Sequence, residues 1–538
     1  MSQETTKKNG SIYQTGFMTA AVFAAVSLLG LIYRMILMRI LGSRGMGYYA
    51  MASELYQLLV LFIAGGIPLA ISMITSECAQ KRAYRENITI LKNIRIYESI
   101  ISILFAGLLF AGAGQIGQWL YGTGEADWAL RFFAPSLFIM ALLNVYDGFF
   151  KGLKSMVPTM ISQIAGQMIC MLFGLIAAAV FINKGFAFGA AGAALGSLAG
   201  ALSSLIFYMV LYHAFKPKIL KRVAHQKNTE RITFGKSVRM TLGLMIPYVL
   251  CQLVYQADGI LDAVIFNRLL MGIGYTESVR VEMFGVYSGQ FRTVILLPVV
   301  FASAIAAILM PSVRQAYKMH HTQRLNDQSH LIIRLSMVLS IWCAALLSVL
   351  SKPVVRLLFS DIGELPSALL MVGAPAAVFS ALSAVTGMIL QNIRRRKAAA
   401  VNFMMALIIH GAAVAALLLV SNMNIVALVY GCYVFAFAAG FLNIRTLRKT
   451  SGYRQEYLHT FVLPVFAALI SAGIGWLIYH GVTFLIHSVL FGIIVTLVVS
   501  AAVYMISIII LGVFSEQEIL KFPLGRDIVS LCKKIHIL

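Results

Sequence analysis

One pattern recurs from about residue 14 to residue 514: an apolar run of roughly twenty residues, a short polar break, then another apolar run. A helix of that length crosses a hydrocarbon core of about 30 Å, because it rises about 1.5 Å per residue. No water-soluble globular protein needs so much apolar surface, whereas a bilayer accepts such runs as helices whose backbone groups are satisfied internally. The proportions agree: of 538 residues, 60% are hydrophobic and only 12% are charged. The expected fold is therefore an all-α integral membrane protein with about fourteen transmembrane helices.

The polar breaks sort the charge. Basic stretches at 81–95, 216–236, 394–397 and 445–449 all fall on one side, which the positive-inside rule makes cytoplasmic, with both termini on that side. The net charge of +23 then reads as a topology signal and a face for anionic lipid headgroups, so nucleic acid is not an expected partner. The opening MSQETTKKNG is polar and the first apolar run is long, so no cleavable signal is expected. Six cysteines (Cys78, Cys170, Cys251, Cys343, Cys432 and Cys532) are scattered without a CxxC pair or metal-ligand spacing. No cofactor or metal is expected beyond a coupling ion.

Weak internal similarity divides the chain. GGIPLAIS (65–72) corresponds to LPVVFASA (297–304), and GAAGAALGSLAG (189–200) to LVYGCYVFAFAAG (428–440). These matches predict two pseudo-symmetric six-helix lobes, 1–213 and 237–449, joined by a basic cytoplasmic linker at 214–236. Residues 450–538 then supply a C-terminal helix pair and a cytoplasmic tail. Gly192, Gly196 and Gly200 form a small-residue row, expected to pack closely on another helix.

Catalytic patterns are missing: the chain carries no GxxxxGK[ST], no HExxH and no strand-borne GxSxG, so no enzyme is expected. His320 and His321 read as solvated loop residues, and His410 and His480 as lone histidines satisfied by a neighbour. The chemistry is left to charges at membrane depth, which usually face a bundle interior or a watery cavity. Arg34, Arg39 and Glu54 lie on two helices joined by a turn at Gly42–Gly47, and a hairpin centred near residue 44 would set Arg34 opposite Glu54. Arg44 is expected to snorkel. Arg292 belongs to a polar or small stripe of Gly285, Ser288, Gly289, Val299 and Ser303, expected to face a cavity. Asp258 and Asp262 share a helix face and could bind a cation or hold a proton, although Asp262 could instead pair with Arg268. Asp147 and Lys151 have the spacing of a structural ion pair, and Arg239 and Arg334 read as snorkelling. Gln163, Gln167 and Asn144 could line a cavity or bond between helices. Deep arginines favour an anionic substrate, since the guanidinium fork suits phosphate oxygens, and a lipid-linked pyrophosphate fits that chemistry.

LGLIYRMILMRILGSRGMGYY (29–49), GIPLAIS (66–72), FFAPSLFIMALLNVYDGFFKGLKSMVPTMISQ (132–163) and LLPVVFASAIAAILMPSVRQA (296–316) carry a resemblance. They resemble the polysaccharide-exporter and stage V sporulation protein B group of the multidrug/oligosaccharidyl-lipid/polysaccharide flippase superfamily, which includes the lipid II flippases. The resemblance implies two lobes around a central cavity, alternating access, and transport of undecaprenyl-linked cell-wall or polysaccharide precursors across the bacterial cell membrane. It also implies partnership with membrane lipids and with cell-wall synthesis enzymes. Arg34, Arg39, Glu54 and Arg292 are then the candidate substrate-binding residues. Two departures stand out: Asp147 precedes Gly148 where relatives often carry arginine, and SQIAGQ (162–167) has Gly166 at a common glutamate position. Relatives thought to bind sodium use side chains of the seventh and eleventh spans. Asp258, Asp262 and Asn402 are the candidate ion-coupling residues here, with Ala406 where a second acid would stand, so sodium and proton coupling both stay open. Two other functions remain alternatives: a cation-coupled multidrug exporter and a non-transporting scaffold for cell-wall synthesis.

Overall fold

The computed structural model describes residues 2–224, 226, 232–360, 363–421, 423–514 and 518. Among them every regular element is helical. In chain order the α-helices are α1 (Ser2–Ala64), α2 (Ile67–Gln80), α3 (Tyr84–Tyr121), α4 (Asp127–Gly152), α5 (Val157–Phe181) and α6 (Phe186–Ala224). There follow α7 (Phe234–Ile273), α8 (Glu277–Val286), α9 (Arg292–Lys318), α10 (Thr322–Val349), α11 (Ser351–Phe359) and α12 (Glu364–Gly373). The last five are α13 (Ala376–Asn392), α14 (Arg396–Val420), α15 (Val426–Ser451), α16 (Leu463–Ile486) and α17 (Val489–Ile510). Single π-helical turns at Tyr287–Phe291 and Leu458–Val462 lead into α9 and α16.

Among the described residues twelve helical stretches are long and apolar enough to cross a membrane, and α12 with α13, bent by 51° at Ala374–Pro375, makes a thirteenth if taken as one span. The first of these stretches, Ala21–Gln80, has 60 residues, about 90 Å if straight and far too long for one crossing. It is folded at Gly42, whose φ of 64° and ψ of 179° interrupt α1. The phenols of Tyr33 and Tyr49 lie within interaction range of each other, and the Tyr33 hydroxyl donates to the Ala193 carbonyl at 3.1 Å. Residues sixteen apart meet only if the chain doubles back, so the two parts of α1 form an antiparallel hairpin. A residue with a Cβ is strained at that φ, which is why glycine stands there.

Elsewhere the apolar pattern locates the helices well, as at 158–182 against Val157–Phe181 and 399–420 against Arg396–Val420. The linker expected at 214–236 is in part a continuation of α6, which runs through Pro217 to Ala224; residues 225 and 227–231 lie outside the described set.

Contacts group the chain into two compact units that ignore chain order: residues 1–290 with 396–431, and residues 291–395 with 432–538. The stretch 237–449, expected as one lobe, is thus shared between the two, with α7, α8 and α14 packing in the first.

The first unit is built on close helix crossings. A Cβ added at Gly192, Gly196 or Gly200 of α6 would lie 2.5–2.6 Å from the carbonyl oxygens of Ala177, Cys170 and Gly166 in α5. The small-residue row therefore does the packing expected of it. Gly166 itself abuts Ser204 and Gly200, which leaves no room for a larger side chain without displacing Ser204. Asp147 pairs with Lys151 as expected, and its other oxygen accepts hydrogen bonds from Tyr208 and Thr159 at 2.7 and 2.9 Å.

In the second unit α10 packs against α9, α13 and α16, and Tyr504 of α17 donates to the Val338 carbonyl at 2.7 Å. A cleft of about 1230 Å³ is lined by residues that include Phe379, Phe437, Phe441, Arg445, Arg448 and Arg454. Arg334 does not snorkel. It is 8% exposed and bonded to Glu456 and Glu518, with its guanidinium over the Phe514 ring.

Candidate functional site

The fold-back at Gly42 decides where the first group of charges lies. With the Tyr33–Tyr49 contact as register, the hairpin is centred about one residue before Gly42 and not near residue 44. Arg34 then lies level with residues near 48, more than a helical turn from Glu54. The expected Arg34–Glu54 pair does not form. Arg34 is half-buried beside the phenols of Tyr33 and Tyr49 and has no carboxylate partner among the described residues. Arg39 is exposed and Glu54 half-buried. Arg44 stacks on the Phe186 ring at 5.4 Å rather than reaching outward alone.

Arg292 is the first residue of α9, directly after the π turn, and is half-buried. The stripe expected around it is not a single cavity face. A Cβ on Gly285 would lie 1.8 Å from the Ser43 carbonyl oxygen, and one on Gly289 would lie 2.6 Å from Met46 Cγ. Those glycines exist to let α8 and the π turn cross the second part of α1, where Gly47 likewise meets the Val281 backbone.

That crossing sits beside a buried polar cluster that the sequence reading passed over. Tyr48 and Thr123 both donate to Glu277 Oε1, at 2.8 and 2.5 Å. Arg280, buried, donates to the carbonyls of Asn267, Tyr121 and Gly122 at 2.8, 3.2 and 3.4 Å. Arg268 donates to the Gln118 and Trp119 carbonyls, so it satisfies the open end of α3 and is not the partner of Asp262. The same first unit hides Glu98 of α3, fully buried, with neither carboxylate oxygen hydrogen-bonded among the described residues.

Asp262 has different company. It and His410 of α14 are each 1% exposed, and His410 Nε2 lies 2.9 Å from Asp262 Oδ1. The second carboxylate oxygen accepts the Tyr287 hydroxyl at 2.7 Å, from the π turn. The other ring nitrogen of His410, Nδ1, lies 2.9 Å from the Gly431 carbonyl oxygen in α15. The partner that α14 offers Asp262 is therefore His410, two turns beyond the buried Asn402. Asp258 lies one turn before Asp262 and half-buried, and its field reaches the imidazole. His410 was legible only as a lone histidine satisfied by a neighbour, because 148 residues separate it from that neighbour.

A family model described as polysaccharide biosynthesis protein matches residues 12–317. Stage V sporulation protein B of Bacillus subtilis (strain 168) is 22% identical over 507 residues, covering 93% of this chain and 96% of that protein. The lipid II flippase MurJ of the same organism is 21% identical over 396 residues, covering 71% of this chain and 73% of the relative. Among solved structures, a lipid II flippase MurJ in an inward closed conformation superposes with a TM-score of 0.65 at 15% identity, over 91% of this chain and 97% of that one. An inward-facing multidrug resistance MATE family transporter of the MOP superfamily superposes at 0.61 with 16% identity, over 80% of this chain and 99% of that one. These likenesses show a shared fold, and they place the chain among multi-pass proteins of the bacterial cell membrane whose relatives are flippases and transporters.

Proposed function

Because the chain belongs to the polysaccharide biosynthesis protein family, we propose that it is a flippase for a lipid-linked glycan precursor, carrying an undecaprenyl-pyrophosphate head group from the cytoplasmic to the outer leaflet by alternating access. The observation that carries this reading is Arg34. A permanent cation, half-buried in a membrane hairpin, stands beside two phenols with no carboxylate to neutralise it among the described residues. Charge at that depth is costly unless something compensates it, and an anionic substrate does so during each cycle. The guanidinium supplies a planar fork of donors suited to phosphate oxygens.

Arg39, Glu54 and Arg292 are the further charged groups to which this reading assigns a part in binding the head group. The reading keeps 1–213 and 237–449 as two repeats of one six-helix sequence unit, distinct from the compact units that contacts define, with both termini cytoplasmic by the distribution of basic residues. Membrane lipids are a second partner, for which the cleft of the second unit, lined by both phenylalanines and arginines, is suited. Cell-wall synthesis enzymes are the protein partners this reading expects.

The test is translocation of lipid II in reconstituted vesicles, comparing wild type with Arg34→Ala and Arg292→Ala. Each variant should lose at least about tenfold in rate, equal to about 1.4 kcal/mol of lost stabilisation, while keeping its helical content and melting behaviour. Wild-type rates in both folded variants would remove the argument. Export of cationic drugs in place of lipid II would favour the multidrug reading, and full cell-wall complementation by transport-dead variants would favour the scaffold.

A further inference from the structure

The hydrogen bonds around His410 leave a definite proton count. The Gly431 carbonyl can only accept, so Nδ1 of His410 carries a hydrogen. Nε2 then faces Asp262 Oδ1 at 2.9 Å. Without a proton between them, an imidazole lone pair would confront a carboxylate lone pair in a buried site, which is strongly unfavourable. With one proton, either the imidazolium donates to the carboxylate or the carboxylic acid donates to the neutral ring. In both forms the pair holds a single proton. Tyr287 donates to the second oxygen, Oδ2, and so holds the carboxylate in orientation.

The surroundings are built for this ring. A Cβ at Gly431 would lie 2.9 Å from His410 Cε1 and 2.5 Å from Val414 Cγ2, so glycine is what admits the imidazole to the α15 backbone. A metal ion is poorly served. The Asp262–His410 separation is that of a hydrogen bond and not of two ligands facing across a cation. Among the described residues no group of three or more His, Cys, Asp or Glu side chains could hold a metal. Among the titratable groups facing His410 are Asp262 and Asp258 of α7, with Tyr287 behind Asp262, and α15 contributes the Gly431 carbonyl.

We propose that Asp262 and His410 bind one exchangeable proton, with Tyr287 positioning the carboxylate, and that exchange of this proton across the membrane drives the transport cycle. The coupling half of the proposal rests on the flippase reading above. On release, the N–H or O–H bond between the two side chains breaks and the proton passes to water. The carboxylate and the imidazole lone pair are left opposed, and α7 and α14 are pushed apart at this level. Reloading from the other side restores the contact.

Two measurements separate the site from its use. The first follows the purified full-length protein through a pH titration, by nitrogen-15 NMR of the histidines with His410 assigned by its loss in His410→Gln. In wild type the His410 midpoint should differ by at least about one pH unit from that in Asp262→Asn, because the two groups share a proton. Equal midpoints would overturn the proposal. The second imposes a difference of about one pH unit, or a sodium gradient, across vesicles containing the protein and lipid II. The pH difference should accelerate wild-type flipping several-fold and sodium should not, and His410→Gln should flip without responding to pH. A sodium response without a pH response, or an unchanged pH response in His410→Gln, would overturn the coupling. If no lipid II moves in any condition while the His410 midpoint shifts as expected, the proton site stands and the flippase reading fails.

Discussion

Two buried ionic clusters, one in each compact unit, handle charge in opposite ways. Asp262 and His410 are each 1% exposed and satisfy one another with one proton between them. Arg334 is 8% exposed, but its partners Glu456 and Glu518 have side chains 42% and 24% exposed. Arginine keeps its charge at any pH a cell meets, so the Arg334 cluster is a fixed clasp between α10 and the segments flanking α16 and α17. On the proposal above the Asp262–His410 pair can change its charge by one, because a carboxylate and an imidazole each exist with and without a proton. Burial alone does not distinguish a switch from a clasp. The chemistry of the partners does.

The comparison breaks most severely at Arg334. Replacement by Leu leaves two carboxylates at one place and removes the bond to the Val513 carbonyl. A fully buried broken pair costs about 3–5 kcal/mol, and the exposure of both glutamates reduces that to about 2–3 kcal/mol. Thermal unfolding in detergent should show this loss at neutral pH with no selective effect on proton coupling. Next in size is Gly431→Ala, whose methyl group would press on Val414 and His410. Overpacking of this kind costs about 1–3 kcal/mol, and here the pH response of flipping should fall with it. A loss of stability with coupling intact would mean that the imidazole has room to give.

Tyr287→Phe removes one donor to Asp262 without changing shape. A hydrogen bond to a charged group contributes about 1.5–3 kcal/mol, and the ring's remaining packing places the expected loss at the lower end, about 1.5 kcal/mol. The sharper readout is a displaced His410 midpoint with flipping retained. Smallest is Glu77→Gln. The Lys81–Glu77 pair has side chains 69% and 62% exposed, so melting should change by less than about 0.5 kcal/mol equivalent and coupling not at all. A large effect there would show that exposed charge matters to this protein in a way neither buried cluster explains.

Some of this was readable in advance and some was not, for reasons that individual residues make plain. The spacing of Gly192, Gly196 and Gly200 announced a close crossing, because only helical periodicity and size are needed to recognise it. Asp147 and Lys151 were recognisable for the same reason, four residues apart on one helix. The Arg34–Glu54 pairing failed because it depended on the exact turn residue. Placing the reversal at 42–47 rather than at Gly42 alone displaced the opposing register by several residues. Arg334 was taken for a snorkelling residue because Glu456 and Glu518 lie 122 and 184 residues away. Gly285 and Gly289 lie on one face as expected, but whether such a face meets a cavity or another helix is invisible until the second part of α1 is in place.

Amino-acid order alone determined that the chain spans a membrane many times as helices, where most of the apolar runs lie along it, and how the basic residues are spread between them. Each of these follows from local length, hydrophobicity and charge measured against a bilayer of known thickness. Only the tertiary structure decided which intramembrane charges are partnered. It brought Asp262, Tyr287, His410 and Gly431 to one point and left Arg34 without a carboxylate among the described residues. Pairing between distant helices depends on packing angles and register, which helix length and composition leave undetermined.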